Sequence, residues 1–311
     1  MSDPLAEIVT LLQPQAPFSK LVKSSGAWRV QRTNVDQVYY CLILTGQACL
    51  EVNGKPPLTL KQGDFALIPE AYSFAMSSVT PPKPEDDLRS VPVKQDDGTF
   101  RLGDPNVPVE TQQLIGFCVF GAPDASLLVS LLPDVIVIRG QSRIRTLAKL
   151  VGDEARANRP ARDILLERLL EALLIETLRS VPETTASPGL LKGLSDDRLN
   201  IALRCMHAKP DQNWTVAELA KQAGLSRSAF FARFNKTLGI APMDYLLHWR
   251  MTLAKQMLRQ TKCGVAEVAN KVGYGSASAF SVAFSRHTGF PPAQYGRQTD
   301  LMATTEPAEP I

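Results

Sequence analysis

The side chains that could carry out catalysis or hold a metal ion are few in this 311-residue chain, and they are unevenly placed. His207, His248 and His287 all lie in the last third, which excludes a histidine base or a histidine metal ligand from the first two hundred residues. The cysteines are odd in number and lack a Cys-x-x-Cys spacing, so they predict neither a disulfide framework nor a zinc ribbon. They are Cys41, Cys49, Cys118, Cys205 and Cys263. We therefore predict no metal, no cofactor and no catalytic residue.

Charge divides the chain into two parts. From Ser195 to Arg297 there are 14 Lys and Arg against 6 Asp and Glu, a net charge of +8. The rest of the chain has 20 against 25, a net charge of −5. A basic carboxyl-terminal part is typical of a module that binds nucleic acid, and the acidic remainder predicts a part that does not.

The basic part contains an internal repeat. The run Val216–Gly224 (VAELAKQAG) is followed 49 residues later by the run Val265–Gly273 (VAEVANKVG), and five of nine positions are identical. The match continues in a Gly-x-x-Pro-x-x-Tyr motif that begins at Gly239 and again at Gly289. The repeat predicts two copies of one supersecondary unit.

Each copy has the pattern of a helix-turn-helix. A short helix buries Val and Ala, the glycine provides a left-handed turn, and a second helix buries two phenylalanines four residues apart. These are Phe230 and Phe234 in the first copy, and Phe280 and Phe284 in the second. The opposite face of such a second helix enters the major groove of double-stranded DNA, which is about 12 Å wide.

A further helix is predicted between the two copies, from Pro242 to Gln260. Its 19 residues span roughly 28 Å at ~1.5 Å per residue. This length is close to one turn of DNA, ~34 Å, so a single chain is predicted to read two successive major-groove segments.

The faces opposite the paired phenylalanines carry the predicted DNA contacts. They are Arg227, Ser228, Phe231, Ala232, Asn235 and Lys236 in the first copy, and Ser276, Ala277, Ser278, Ser281, Val282 and Arg286 in the second. The second set is small or apolar, which favours thymine-methyl contact and shape readout over bidentate guanine recognition. For Phe231 two interpretations are open: contact with a thymine methyl, or packing against a neighbouring helix.

Phosphate contacts are predicted for six basic residues around these faces. They are Lys221, Arg233, Lys236, Lys271, Arg286 and Arg297.

The amino-terminal part has a β pattern. Short β-rich runs with turn signals extend from Trp28 to about Phe120 and predict an antiparallel barrel or sandwich. Asn53-Gly54 predicts a two-residue hairpin turn. The proline-rich stretch from Pro81 to Pro108 predicts a long irregular excursion. Two helices are predicted next, from Ser142 to about Asn158 and from Arg162 to Ser180.

The second of these helices has a leucine stripe wider than a packed surface helix usually needs. We predict that it dimerises the chain through four leucines; the alternative, that both faces pack on the barrel, is open. The four are Leu166, Leu169, Leu170 and Leu173.

These patterns predict a two-domain α+β protein. Residues 1–181 are predicted as a regulatory and dimerisation domain, and the Pro- and Gly-containing residues 182–194 as a linker. Residues 195–297 are predicted as an all-α domain with two helix-turn-helix motifs, and 298–311 as a disordered tail. No run of 18 apolar residues or signal-peptide pattern is present, so we expect no membrane association and a cytoplasmic location.

The domain from Asp196 to Arg297 resembles the DNA-binding domain of the AraC/XylS family of bacterial transcription regulators. The matching residues are Val265 to Ala269, Gly273-Tyr274, Ala279-Phe280, Phe284, Gly289 and Pro292-x-x-Tyr295. More weakly, the region before the linker resembles the cupin-type regulatory domain of the same family, through Lys61 to Pro69 (KQGDFALIP). The resemblance implies a transcription regulator that binds double-stranded DNA. We predict a small effector and RNA polymerase as further partners, and the leucine stripe predicts a homodimer.

The resemblance to cupins raises the rival interpretation of an enzyme, because such barrels often hold a metal on two or three histidines and a glutamate. The run from Gly46 to Val52 (GQACLEV) lacks those histidines, so we predict that the protein is not an enzyme.

The barrel interior is instead predicted to take a small effector, and an interior filled by side chains is the open alternative. The predicted effector contacts are Trp28, Arg32, Tyr39, Tyr40 and Phe74. A cysteine-based redox response is a further alternative, although the apolar strand contexts of Cys41 and Cys49 raise thiol pKa values.

Overall fold

The computed structural model describes residues 3–12, 14–35, 38–82, 91–120, 129, 132–157, 159–181, 189–260 and 263–296. These residues form two compact units. One contains 8–120 and 129–181, and the other contains 189–296 together with 3–7. None of the helices in these ranges combines the length and the apolar character that a bilayer span requires.

The first unit is built on two β-sheets. Its strands are β1 (Pro14–Ser25), β2 (Arg29–Val35), β3 (Val38–Thr45), β4 (Gln47–Val52), β5 (Leu58–Lys61), β6 (Phe65–Ile68), β7 (Ala71–Ser77), β8 (Val93–Lys94), β9 (Phe100–Gly103), β10 (Thr111–Phe120) and β11 (Ile136–Ile138). One sheet has the order β11-β6-β3-β10-β1-β9-β8, and the other has the order β2-β7-β4-β5. The predicted β-rich fold is confirmed, but the predicted barrel is not closed in the described strands, because each sheet ends in edge strands.

The core of this unit lies between the two sheets. It contains Tyr39, Cys41 and Ile43 from β3, and Leu50 and Val52 from β4. Every second residue of each strand contributes, as the two-residue period of a strand requires.

The hairpin between β4 and β5 has the predicted turn. Asn53 and Gly54 both have positive φ, of 50° and 68°, as a type I′ turn demands. The Lys55 amide donates to the Val52 carbonyl at 3.0 Å, which closes the turn.

The stretch predicted as an irregular excursion contains two strands. β8 pairs with β9, and β9 runs parallel to β1, which is the one parallel pairing among the described strands. Residues 83–90 of this stretch lie outside the described residues.

Two helices pack on the larger sheet. Both α2 (Ser142–Arg156) and α3 (Arg162–Arg179) contact β1 as well as each other. An additional helix, α1 (Pro4–Leu12), begins the chain.

The burial of the α3 leucines differs from the dimer expectation. Leu166, Leu170 and Leu173 are already buried within their own unit, and Leu169 is half-buried. The reason is that α3 faces both α2 and β1, which together cover most of the stripe. The apolar side chains that stay exposed on the helix pair are different ones: Leu150, Ile164 and Leu165.

The second unit is helical. Its helices are α4 (Leu190–Ser195), α5 (Asp197–Ala208), α6 (Val216–Gln222), α7 (Arg227–Leu238), α8 (Pro242–Gln260), α9 (Val265–Lys271) and α10 (Ala277–Thr288).

The start of this unit differs from the predicted linker. Leu190 and Leu191 are buried, and α4 approaches α7 so closely that a β-carbon on Gly193 would lie 2.7 Å from Leu238 Cδ1. The last part of the predicted linker is therefore part of the folded domain. Residues 182–188 and the predicted tail lie outside the described residues.

Candidate DNA-binding interface

The first helix-turn-helix is α6 and α7. A capping box fixes the start of α6: the Thr215 hydroxyl accepts from the Glu218 amide at 3.2 Å, and the Glu218 carboxylate accepts from the Thr215 amide at 2.8 Å. The Ser226 hydroxyl caps α7 by accepting from the Ala229 amide at 3.3 Å.

The second helix-turn-helix is α9 and α10, and it repeats this geometry in part. The Ser276 hydroxyl caps α10 by accepting from the Ala279 amide at 3.1 Å. Gly264 precedes α9 and provides no side-chain cap. The two units therefore share the cap of the second helix and differ in the cap of the first.

In each helix-turn-helix, the turn contains a glycine with a left-handed backbone, and an arginine lies beside that glycine. Gly224 has φ +64° and Gly273 has φ +80°. The Arg198 guanidinium donates to the Ala223 carbonyl at 3.3 Å. The Arg250 guanidinium donates to the carbonyls of Pro210 (2.7 Å) and Gln212 (2.8 Å), and a β-carbon on Gly273 would lie 2.7 Å from it.

Sequence reasoning missed these arginines. Arg198 precedes its turn glycine by 26 residues and Arg250 precedes its own by 23, so the arginines do not follow the spacing of the repeat.

The paired phenylalanines form the cores that orient the second helices. Phe230, Phe234, Phe280 and Phe284 are all fully buried. In the second helix-turn-helix, Phe280 and Phe284 pack with Met251, Val268 and Val272 among others.

The tyrosines of the Gly-x-x-Pro-x-x-Tyr motifs lie against the second phenylalanine of each pair. The ring centroids of Phe234 and Tyr245 are 5.9 Å apart, and those of Phe284 and Tyr295 are 5.3 Å apart. The repeat seen in the sequence is thus a repeat of packing as well.

The outward faces of α7 and α10 carry the residues predicted to contact DNA. All six candidates of the first helix-turn-helix are exposed. Phe231 keeps 44% of its surface exposed, which favours contact with DNA over packing against a neighbouring helix. In the second helix-turn-helix, four candidates are exposed and two are half-buried: the exposed ones are Ser276, Ser278, Val282 and Arg286, and the half-buried ones are Ala277 and Ser281.

The basic residues separate into two groups. Lys221, Lys236 and Arg286 are exposed and have no ion pair within the described ranges. Arg233 instead pairs with the Asp196 carboxylate at 2.7 Å, and Lys271 pairs with Glu267 at 2.8 Å. These two pairs compete with the predicted phosphate contacts because each cation already has a carboxylate partner. Arg297 lies outside the described residues.

A buried histidine belongs to the interior of the helical unit. His207 Nδ1 donates to the Glu7 carboxylate at 3.0 Å, and the Tyr245 hydroxyl donates to Nε2 at 2.7 Å, which fixes the tautomer. The imidazole stacks on Trp249 with 3.7 Å between ring centroids. Burial lowers the pKa of His207, and the hydrogen bond to Glu7 opposes this shift.

The β-sheet unit, residues 8–120 and 129–181, has a cavity between its two sheets. Four of the five predicted effector contacts line it, namely Trp28, Arg32, Tyr39 and Phe74. The fifth, Tyr40, lies on the other face of β3, where its ring covers Gly116 so closely that a β-carbon there would lie 1.9 Å from Tyr40 Cζ. The cavity lining also includes Lys20 and Gln113, which sequence reasoning missed.

The redox alternative gains no support from Cys41. Its thiol is fully buried, and burial raises its pKa to about 12, so little reactive thiolate forms near neutral pH.

Two family models match this chain. One, described as Cupin, covers residues 3–183, and the other, described as Helix-turn-helix domain, covers residues 219–298. A putative AraC-like transcription regulator of Streptomyces lividans is 34% identical over 306 residues, which are 96% of this chain and 99% of that protein. The chain belongs to the family of AraC-like transcription regulators.

Two further proteins are similar over shorter spans of this chain. The HTH-type transcriptional regulator AlkR of Acinetobacter baylyi is 29% identical, over 89% of this chain and 94% of its own length. A solved structure of the DNA-binding domain of AdpA in complex with a target DNA has 28% identity, and the match covers 36% of this chain and all of that one, with a TM-score of 0.33. The helix-turn-helix model and the Streptomyces lividans relative confirm the family resemblance that the repeat of this AraC-like chain indicates.

Proposed function

We propose that this AraC-like regulator binds double-stranded DNA by placing α7 and α10 in two successive major-groove segments. The observation that carries the proposal is the presence of two separately packed helix-turn-helix units, each with an exposed outward face. Exposed small and apolar side chains such as Val282, at 69% exposure, suit thymine-methyl contact. We further propose that the protein acts in the cytoplasm, is not an enzyme, and has RNA polymerase as a partner.

Selection of bound sequences from a random pool of DNA tests this proposal. The full chain is expected to select a site with two preferred segments about 10 base pairs apart, centre to centre. Phe231→Glu is expected to remove the preference in one segment and Val282→Glu in the other, because each introduces a carboxylate on one recognition face.

The matched control is Val93→Glu, since Val93 is 61% exposed on β8, in the other unit. It should leave both segments selected. Selection of a single segment, or loss of both segments in either variant, would contradict the proposal.

We propose that the AraC-like chain is also a homodimer through the exposed apolar surface of α2 and α3. Ile164 is 64% exposed, and Leu150 and Leu165 are each 46% exposed. Exposed apolar side chains on a helix pair are commonly covered by a second copy about a two-fold axis. Leu169 is half-buried on the same helix as Ile164 and Leu165, and it is the member of the predicted set that is still accessible.

Sedimentation equilibrium tests the dimer. The full chain is expected to sediment as a dimer at micromolar concentration, and the double variant Ile164→Glu, Leu165→Glu as a monomer. Val79→Glu, at an exposed position of the same unit, is the control and should stay dimeric. A monomeric parent protein, or a dimer that survives the double substitution, would refute this interface.

Effector control from the cavity of the first unit is the third part of the proposal. It is supported by an interior that the side chains do not fill, lined by the predicted contacts. Small-molecule sites usually combine an apolar lining with a few convergent polar groups, and this lining has that composition.

A further inference from the structure

We propose that the effector is a small organic anion, a carboxylate with a short apolar body, held between the sheets by Lys20, Arg32, Tyr39 and Gln113. This inference rests on the proposed effector control and deepens it, because it assigns the chemical class of the ligand. The four residues line one cavity and come from strands β1, β2, β3 and β10.

Two cations face this cavity without a carboxylate. The side chain of Lys20 is buried with only 7% of the residue exposed, and its Nζ lies 4.9 Å from the ring centroid of Phe100. Neither Lys20 nor Arg32 has an ion pair among the described residues, and the cavity lining contains no Asp or Glu. A buried cation without a counter-ion is unfavourable, so the site is complementary to an anion.

The two cations also act on each other. Burial lowers the pKa of Lys20, and the nearby positive charge of Arg32 lowers it further. A bound anion between them would relieve this repulsion.

Two neutral donors in the same cavity lack acceptors. The Tyr39 hydroxyl and the Gln113 amide nitrogen Nε2 are both buried without a hydrogen-bond partner, apart from the weakly polar Cys41 thiol near Tyr39. The acceptor end of the Gln113 amide is already used, because Oε1 accepts from the Cys41 thiol at 3.8 Å. Buried polar groups are normally paired, so these donors indicate a missing acceptor.

All four polar side chains can therefore donate, and the lining formed by the described residues offers no carboxylate to a cationic ligand. A carboxylate accepts up to four hydrogen bonds and carries the charge that Lys20 and Arg32 require. The rest of the lining is apolar and includes Val22, Phe74, Met76 and Leu102. The ligand is thus an anion at one end and a hydrocarbon at the other.

The size of the cavity limits the hydrocarbon. Its volume of about 30 Å³ has room for one or two water molecules as it stands. Met76 and Arg32 are long side chains in its lining, and long side chains such as Met adapt to a ligand by changing rotamer. A body of a few carbon atoms fits this site better than a ring system.

The test uses the full chain with sodium butanoate as the anionic probe and butanamide as its neutral counterpart of similar shape. Binding is measured by isothermal titration calorimetry at constant ionic strength. Butanoate is expected to bind saturably, and butanamide at least tenfold more weakly. Lys20→Met and Arg32→Met are each expected to weaken butanoate binding at least tenfold.

The matched control is Lys23→Met. Lys23 lies on the same strand but pairs with Asp97 at 2.9 Å and is not part of the cavity, so butanoate binding should be unchanged. Equal binding of butanoate and butanamide would overturn the anion assignment while leaving effector control intact. No binding of butanoate by the unmodified chain would also overturn it, and this comparison does not depend on the folding of any variant.

A second readout separates the inference from the proposed function. The affinity for a selected DNA site is measured by fluorescence anisotropy with and without butanoate. Tight butanoate binding that depends on Lys20 and leaves DNA affinity unchanged would support the ligand class and contradict effector control. A change in DNA affinity that is lost in Lys20→Met would support both.

Discussion

Replacement of Phe280 by alanine is expected to lower the free energy of unfolding of the helical unit by about 3–5 kcal/mol, the usual cost of removing a fully buried phenylalanine. Phe280 has no exposed surface, and its ring lies 5.4 Å from that of Phe284 and 5.5 Å from that of Tyr274. The substitution leaves a cavity at the point where α10 is attached to α8 and α9.

Urea denaturation of the full chain, followed by circular dichroism at 222 nm, measures this loss. Phe231→Ala is the matched control, because Phe231 lies on the exposed face of α7 and a surface substitution usually changes stability by less than about 0.5 kcal/mol. That control should instead weaken DNA binding. If Phe231→Ala proved the more destabilising of the two, the assignment of inward and outward faces would be wrong.

DNA affinity is expected to fall roughly 150-fold between 50 and 200 mM salt for each bound chain, which corresponds to about four phosphate contacts and a log–log slope near −3.6. Three of the cations are Lys221, Lys236 and Arg286 from the predicted phosphate set, and the fourth is Arg227 at the start of α7; all four are exposed. Binding to phosphates releases condensed counterions, and added salt opposes that release.

Single substitutions identify which cations contribute. Lys236→Ala and Arg286→Ala are each expected to reduce the slope by about 0.9. Arg233→Ala is the control: its guanidinium is paired with Asp196, so the slope should not change. A slope near −5 that Arg233→Ala reduces would show that this ion pair opens on DNA, contrary to our interpretation.

The helical unit was largely predictable because its information is local and occurs twice. The run from Val216 to Gly224 and its second copy fixed both turns, and the four-residue spacing of Phe230 and Phe234 fixed the inward face. Arg198 and Arg250 were not predictable, since each contacts backbone carbonyls far away in sequence and no periodic signal marks such a contact.

The effector cavity was predictable only in part. Tyr39 and Tyr40 were both assigned to it, yet consecutive residues of a strand point to opposite sides of the sheet, and that rule alone excludes one of them. Lys20 was missed because the prolines at the start of β1 obscure its strand pattern. The burial of the α3 leucines was not predictable, because a sequence does not show how much of an apolar stripe the neighbouring helix and strand will cover.

The helix α8 packs against both helix-turn-helix motifs, and this has a consequence for the evolution of binding sites. Tyr245, in the first half of α8, packs against Phe234 of the first motif, whereas Met251 and Ala254 further along belong to the core of the second motif. Each recognition helix is therefore held by its own set of contacts, and a substitution on one outward face leaves the packing of the other undisturbed. The two halves of an operator can then diverge in base sequence, one at a time. A single chain of this design is suited to operators without palindromic symmetry, whereas a protein with one helix-turn-helix needs a second copy and a repeated half-site.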